Sequence, residues 1–257
     1  MSSLFFSKEQ GHGRPLIFLH GFCETHEIWK DFIEPFTSNF RVITLDLPGF
    51  GNSEMLPSPF TIDQVSDAVA NWLIENQLEK SIIIGHSLGG YVALGLAENH
   101  RNLLGSIVLF HSSVFADSAE KRKNRDRVIE FVGKNGVQPF IDTFVAGLFF
   151  NKNDPSINDV HRIASQTKLM TLISYSQAMR DRPDRSAVLK NNEIPKLLIA
   201  GEEDALIPIA ASKEMDRMAK NLSFFELKNV AHMGFFEAKT ECQQIILRFA
   251  NRMQSNR

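Results

Sequence analysis

The chain has 257 residues, 43% of them hydrophobic, enough for one well-buried core with room for a small inserted subdomain. A formal net charge of -2, from 28 Lys and Arg against 30 Asp and Glu, argues against nucleic acid or an anionic membrane as the main partner. Two cysteines far apart, Cys23 and Cys242, argue against a disulfide scaffold and fit a reducing compartment.

Met1 to Glu9 has no basic start and no long apolar run, so no signal peptide is expected, and no stretch is apolar for long enough to span a bilayer. A cytoplasmic protein is the expectation. Leu4 to Lys8 reads as an edge strand, turned back through Gly11-His12-Gly13. Pro15 to Leu19 is a continuous apolar run, the pattern of a strand buried on both faces. It stops at His20-Gly21-Phe22, and a helix carrying Ile28, Trp29, Phe32, Ile33 and Phe36 is expected next. Arg41 to Leu45 is another strand, ended by the turn-rich loop Asp46-Leu47-Pro48-Gly49-Phe50-Gly51-Asn52-Ser53. Thr61 and Gln64 have the spacing of a capping box for a helix with Ile62, Val65, Val69, Trp72 and Leu73 on one face. Then comes a short apolar strand from Ser81, a glycine-bearing turn at Gly85-His86-Ser87-Leu88-Gly89-Gly90, and a helix from Leu88 towards Glu98.

Further buried strands are expected at Ile107 to Phe110, Lys196 to Ala200 and Ser223 to Leu227, with helices at about Ile209 to Ala219 and Thr240 to Arg252. Strands alternating with helices, most of the strands unbroken apolar runs, mean a mostly parallel α/β sheet covered on both faces. Between Phe110 and Lys196 the alternation fails. The charged stretch Ala119 to Val128 is followed by the amphipathic run Val137, Phe140, Ile141, Phe144, Val145, Leu148, Phe149 and by further helix to Met179. This is too long for a crossover in a compact domain. The expected division is a core of residues 1–112 and 191–257 with a helical cap inserted at 113–190.

Gly85-His86-Ser87-Leu88-Gly89 has the Gly-x-Ser-x-Gly pattern of a nucleophile elbow, in which a tight strand-to-helix bend pushes a serine hydroxyl out of the sheet. A serine hydroxyl needs a base held against it, and the base needs an orienting acid. In open parallel sheets such residues lie beyond the carboxyl ends of the strands. Asp204 follows the Lys196 to Ala200 strand and His232 follows the Ser223 to Leu227 strand, so Ser87, Asp204 and His232 fall on one edge in chain order. Glu202 and Glu203 compete with Asp204, whose shorter side chain suits a tight bond to histidine. The oxyanion donors expected are the backbone N–H groups of Leu88 and Phe22.

His20-Gly21-Phe22, the loop from Asp46 to Ser53, Gly85 to Gly90, Gly201-x-x-Asp204-x-x-x-Pro208 and His232 together resemble the α/β-hydrolase superfamily along nearly the whole chain. Within it the chain is similar to the small esterase, lactonase and carbon–carbon-bond hydrolase group. The resemblance implies a central sheet with a helical cap after the strand ending at Phe110. Haloalkane dehalogenases and epoxide hydrolases of this fold carry an aspartate where Ser87 stands, which disfavours those activities.

The expected function is cleavage of a small or medium carboxylic ester through an acyl-enzyme on Ser87. The alternatives are a lactone or carbon–carbon bond cleaved by the same triad, or a non-catalytic ligand-binding member. His111, ending the strand beside the elbow strand, and Phe144, in the phenylalanine stripe, are candidate substrate contacts, each with a structural alternative as a packing residue. His86 and His20 read as bracing residues, Cys23 as a small packing residue within reach of thiol reagents, and the Lys121 to Arg127 run as a solvated helix face. The eight histidines show no metal-ligand spacing such as His-Glu-x-x-His, so neither metal nor cofactor is expected. Nothing in the sequence sets the oligomeric state.

Overall fold

The computed structural model describes residues 4–191 and 193–255; Met1 to Ser3, part of the N-terminal stretch read above, lie outside them. The strands are β1 (Ser7–Gly11), β2 (Arg14–Leu19), β3 (Phe40–Leu45), β4 (Ser81–His86), β5 (Leu104–Phe110), β6 (Lys196–Gly201) and β7 (Leu222–Leu227). They form one sheet in the order β1-β3-β2-β4-β5-β6-β7, with β1 antiparallel to β3 and every other pair parallel. The side chains of β4 are buried along its whole length, as an unbroken Ile-Ile-Ile run requires of a strand covered on both faces.

Helices α1 (Ile62–Glu75), α2 (Leu88–Asn99), α3 (Ala119–Asn135), α4 (Gln138–Gly147), α5 (Ser156–Ala164), α6 (Leu169–Arg180), α7 (Ser186–Asn191), α8 (Ile209–Met218), α9 (Gly234–Glu237) and α10 (Lys239–Ser255) follow in chain order. The α1 cap is a reciprocal box: the Thr61 hydroxyl accepts from Gln64 N–H and the Gln64 side chain accepts from Thr61 N–H.

Two expectations change. The helix expected around Ile28 to Phe36 is instead two short 3-10 turns, His26–Trp29 and Glu34–Phe36. Pro35 has no N–H to give to a helical ladder, so a helix continuous through it would lose a hydrogen bond. The apolar side chains are buried regardless: Trp29, Phe32 and Phe36 pack with Phe18 of β2. The edge strand also lies later than Leu4 to Lys8. Pairing with β3 places it at Ser7–Gly11, where all five residues are exposed and hydrophobicity carries no signal.

Helices α3 to α7 occupy the long interval between β5 and β6. Most of the charged run on α3 faces solvent, but Asp117, just before it, is buried. Asp117 accepts from Arg182 at 2.7 Å and from Arg125 at 3.1 Å, and Arg182 also donates to the carbonyls of Met179 and Phe115. The Arg182 guanidinium lies 3.9 Å from the centroid of Tyr91 on α2, which ties the inserted helices to the core. Burial works to raise the Asp117 pKa, but the two arginines hold it below the usual carboxylate range. Asp117→Ala would leave Arg182 buried and short of its acceptor. The expected cost is about 3 kcal/mol or more, read as a lower midpoint in urea unfolding; an unchanged midpoint would show the pair to be thermodynamically idle.

Candidate active site

The strand order turns at β2, whose parallel neighbours β3 and β4 lie on opposite sides, and in open sheets of this kind ligand sites form beyond the carboxyl ends of the strands at such a turn. The loop after β2 carries Gly21 and Phe22, and the turn after β4 carries Ser87. Ser87 sits at φ 48°, ψ -110°, a conformation rare for a residue with a side chain, and is half-buried at the start of α2. The bend is held from several sides. Ser87 N–H donates to the Phe110 carbonyl at 2.9 Å, and the Ser112 hydroxyl donates to the Ser87 carbonyl at 2.8 Å.

Two glycines make this bend possible. A Cβ on Gly85 would overlap the backbone of Gly89, and one on Gly89 would overlap the Leu19 carbonyl of β2. Leu88 is the first residue of α2, so its N–H is among the donors that a helix leaves unpaired in its first turn.

Asp204 follows β6 and is buried, with one carboxylate oxygen on each of two jobs. Oδ1 accepts from the N–H groups of Leu206 at 2.9 Å and Ile207 at 3.0 Å. Oδ2 lies 2.7 Å from His232 Nδ1. His232, in the turn after β7, is buried, and its own N–H donates to the Leu148 carbonyl at 2.9 Å. Because Nδ1 is spent on Asp204, the ring presents Nε2 as its free nitrogen. Burial works to raise Asp204's pKa, but the His232 charge and the hydrogen bonds from His111 and His232 leave the carboxyl far below its usual range. Burial likewise works to lower the His232 pKa, and the Asp204 carboxylate overrides it, so the imidazole is more basic than an ordinary histidine. Among the described residues the Ser87 hydroxyl makes no hydrogen bond in this resting arrangement; such bonds commonly close only with a bound substrate.

Glu202 takes Lys228 at 2.7 Å and Glu203 is exposed, so of the three acids in this loop only Asp204 meets the histidine. His111, a candidate substrate contact with a packing alternative, follows β5. It is fully buried, and its Nδ1 lies 3.3 Å from Asp204 Oδ2 and 3.3 Å from the Gly201 N–H. A single nitrogen cannot both accept from Gly201 and donate to Asp204, and both contacts are long, so His232 is the stronger partner of the acid. Burial first, and then the neighbouring histidines, bring the His111 pKa down to about 4 against the pull of Asp204. His111 therefore sits behind the acid.

Phe144 on α4 is half-buried and meets the Phe22 ring at 6.0 Å, with Phe140 also against Phe22 at 6.4 Å. The inserted helices thus touch the loop after β2 through phenylalanines and the loop after β7 through Leu148. Cys23 is buried, as a small packing residue would be, and burial raises its thiol pKa well above the ordinary value. His20 accepts from Leu47 N–H at 2.9 Å, bracing the loop after β2 against the loop after β3.

One group had no signal beyond its own presence in the loop: Glu24, a carboxylate that is almost wholly buried. Its Oε2 accepts from Gly21 N–H at 2.7 Å and lies 3.1 Å from His86 Nδ1. Its neighbours Thr25, His26 and Glu27 are polar as well, so nothing in the local sequence marks it out.

The family model described as alpha/beta hydrolase fold matches residues 14–239. The AB hydrolase superfamily protein YisY of Bacillus subtilis is 26% identical over 96% of this chain and 95% of its own. A pimeloyl-[acyl-carrier protein] methyl ester esterase of Vibrio cholerae is 26% identical over 98% of this chain and 100% of its own. Among solved structures, a thermophilic esterase from Thermogutta terrifontis superimposes with a TM-score of 0.91 at 26% identity, over 97% of this chain and 93% of that one.

Proposed function

We propose that this chain, which belongs to the alpha/beta hydrolase fold family, is a serine hydrolase that cleaves a small or medium carboxylic ester through an acyl-enzyme on Ser87. The observation that carries the reading is the 2.7 Å contact between His232 Nδ1 and Asp204 Oδ2 beyond the sheet edge where Ser87 occupies its strained bend. The esterase names of two relatives support an ester over other bonds.

In this reading His232 Nε2 takes the Ser87 proton as the oxygen attacks the acyl carbon, and Asp204 steadies the imidazolium that forms. The N–H groups of Phe22 and Leu88 stabilise the tetrahedral oxyanion, a contribution of about 3 kcal/mol for each donor in comparable sites. His232 then gives its proton to the departing alcohol and later activates water to release the acid. Residues 113–190 act as the cap, with Phe144 and its neighbours over Phe22 setting the apolar wall for the acyl group. No step requires a metal or an organic cofactor. The substrate is a small molecule, and neither nucleic acid nor a membrane surface enters the reading. Among the described residues no helix is long and apolar enough to cross a membrane.

The test is a fluorophosphonate probe, which labels an activated serine covalently. Native protein should be labelled, and Ser87→Ala should lose the label and the turnover of p-nitrophenyl acetate while keeping its melting temperature. Labelling retained in Ser87→Ala, or none in the native protein, would sink the proposal.

A further inference from the structure

Glu24 and His86 form a buried acid–histidine contact that the mechanism above does not use. Both are buried, and neither lies at the position of a nucleophile or base. His86 Nε2 lies 3.0 Å from the backbone carbonyl of His232, and its Nδ1 lies 3.1 Å from Glu24 Oε2. A carbonyl oxygen only accepts, so Nε2 must carry a proton. An ionised carboxylate also only accepts, so the Nδ1 contact needs a proton of its own. The same carboxylate oxygen already accepts from Gly21 N–H at 2.7 Å.

The connections are specific. Gly21 belongs to the loop that carries the proposed oxyanion donor, His86 immediately precedes the proposed nucleophile, and the His232 carbonyl belongs to the proposed base. Space is tight as well: a Cβ on Gly21 would come within 2.6 Å of His86 Nδ1 and 3.0 Å of the Glu24 carboxyl carbon. Burial works to raise the Glu24 pKa, but the His86 charge and hydrogen bond, with Gly21 N–H and His20, hold it below its ordinary value. The groups that face the pair and His232 are His20, His111, Asp204 and Glu237.

We infer that Glu24 and His86 are a buried ion pair, His86 protonated on both nitrogens, that positions the loop after β2 and the backbone of His232 relative to Ser87 and balances the charge beside the base. The inference rests on the role given to His232 above. The His86 and His232 rings lie 4.9 Å apart, centroid to centroid. An unbalanced imidazolium at that range would make His232 harder to protonate, and Glu24 offsets it. Both are positioning residues; neither touches the reacting atoms.

Glu24→Gln keeps the shape and removes the charge. The amide oxygen would stay on Gly21 N–H and the Nδ1 proton of His86, leaving the imidazolium uncompensated. The expected result is a fall in kcat of about tenfold or more with KM changed by less than about twofold. The acid limb of the kcat/KM profile should also move to lower pH. Equal kcat and an unmoved limb would overturn the inference.

Nitrogen-15 NMR of the native protein at pH 8 provides a readout that does not depend on activity. With His86→Gln for assignment, both His86 ring nitrogens should carry protons; a bare nitrogen in either position would overturn the ion pair. If the ring is doubly protonated while the fluorophosphonate fails to label Ser87, it is the hydrolase reading that falls.

Discussion

Asp204→Asn should lower kcat on p-nitrophenyl acetate by about 10⁴, with the fold intact. The size of the effect comes from how the carboxylate is divided. Oδ1 receives two backbone N–H groups, from Leu206 and Ile207, and Oδ2 receives His232. In asparagine the amide oxygen must take the Oδ1 position, because two donors point at it. The amide NH2 then faces His232 Nδ1 and donates, which drives the imidazole proton to Nε2, the nitrogen that accepts from Ser87 in the proposed mechanism. The base is thereby presented in the wrong tautomer while the loop keeps its backbone bonds.

A pH profile separates this effect from simple damage. Asp204 raises the His232 pKa above the ordinary 6.5, and in the proposed mechanism the active form is the unprotonated base. Native activity should therefore fall with acid through a limb that lies above pH 6.5, and in Asp204→Asn that limb should move to lower pH. A variant within tenfold of native kcat would mean that the 2.7 Å contact is structural and that the base lies elsewhere.

Gly89→Ala should lower the melting temperature by roughly 10 °C and remove most of the activity with it. The new Cβ would strike the Leu19 carbonyl at the end of β2 and crowd that of His20. Neither is a flexible side-chain tip that can swing away, so strand and helix must separate. Such overpacking costs about 3 kcal/mol, and a domain of this size loses roughly 2–4 °C per kcal/mol. The displacement also falls between the loop carrying Phe22 and the turn carrying Ser87, which have to face one reacting atom. Gly133→Ala in α3 is the matched control: nothing lies within 4 Å of its Cβ, so the helix should tolerate or slightly favour it. Calorimetry on the two variants decides the matter. Equal melting temperatures would show that the elbow has slack the structure does not display.

Much of the fold is legible in local chemistry. The strands β2, β4, β5 and β6 are unbroken apolar runs, and such runs can be stable only inside a sheet covered on both faces. The α1 boundary is legible because a capping box is a contact between residues three apart. Ser87 is legible because its bend demands glycine at fixed offsets, and Asp204 and His232 because parallel topology assigns them a common edge. The two 3-10 turns near Trp29 were not legible, since Pro35 and apolar spacing pull in opposite directions and packing on Phe18 decides. Nor was β1, an exposed strand defined only by its partner.

What the chain order determined alone was the list of groups at the sheet edge: a serine, an acid and a histidine in the loops after β4, β6 and β7. What only the tertiary structure decided was which of them share protons. His111 lies behind Asp204 because β5 and β6 are neighbours and their ends meet. Glu24 reaches His86 across 62 positions and His86 reaches the His232 carbonyl across 146, and no local pattern encodes contacts at such separations. Hydrogen bonding is directional and short-ranged, so it is settled only when the backbone has been placed to within a fraction of an ångström, whereas burial of an apolar run is settled by composition and period.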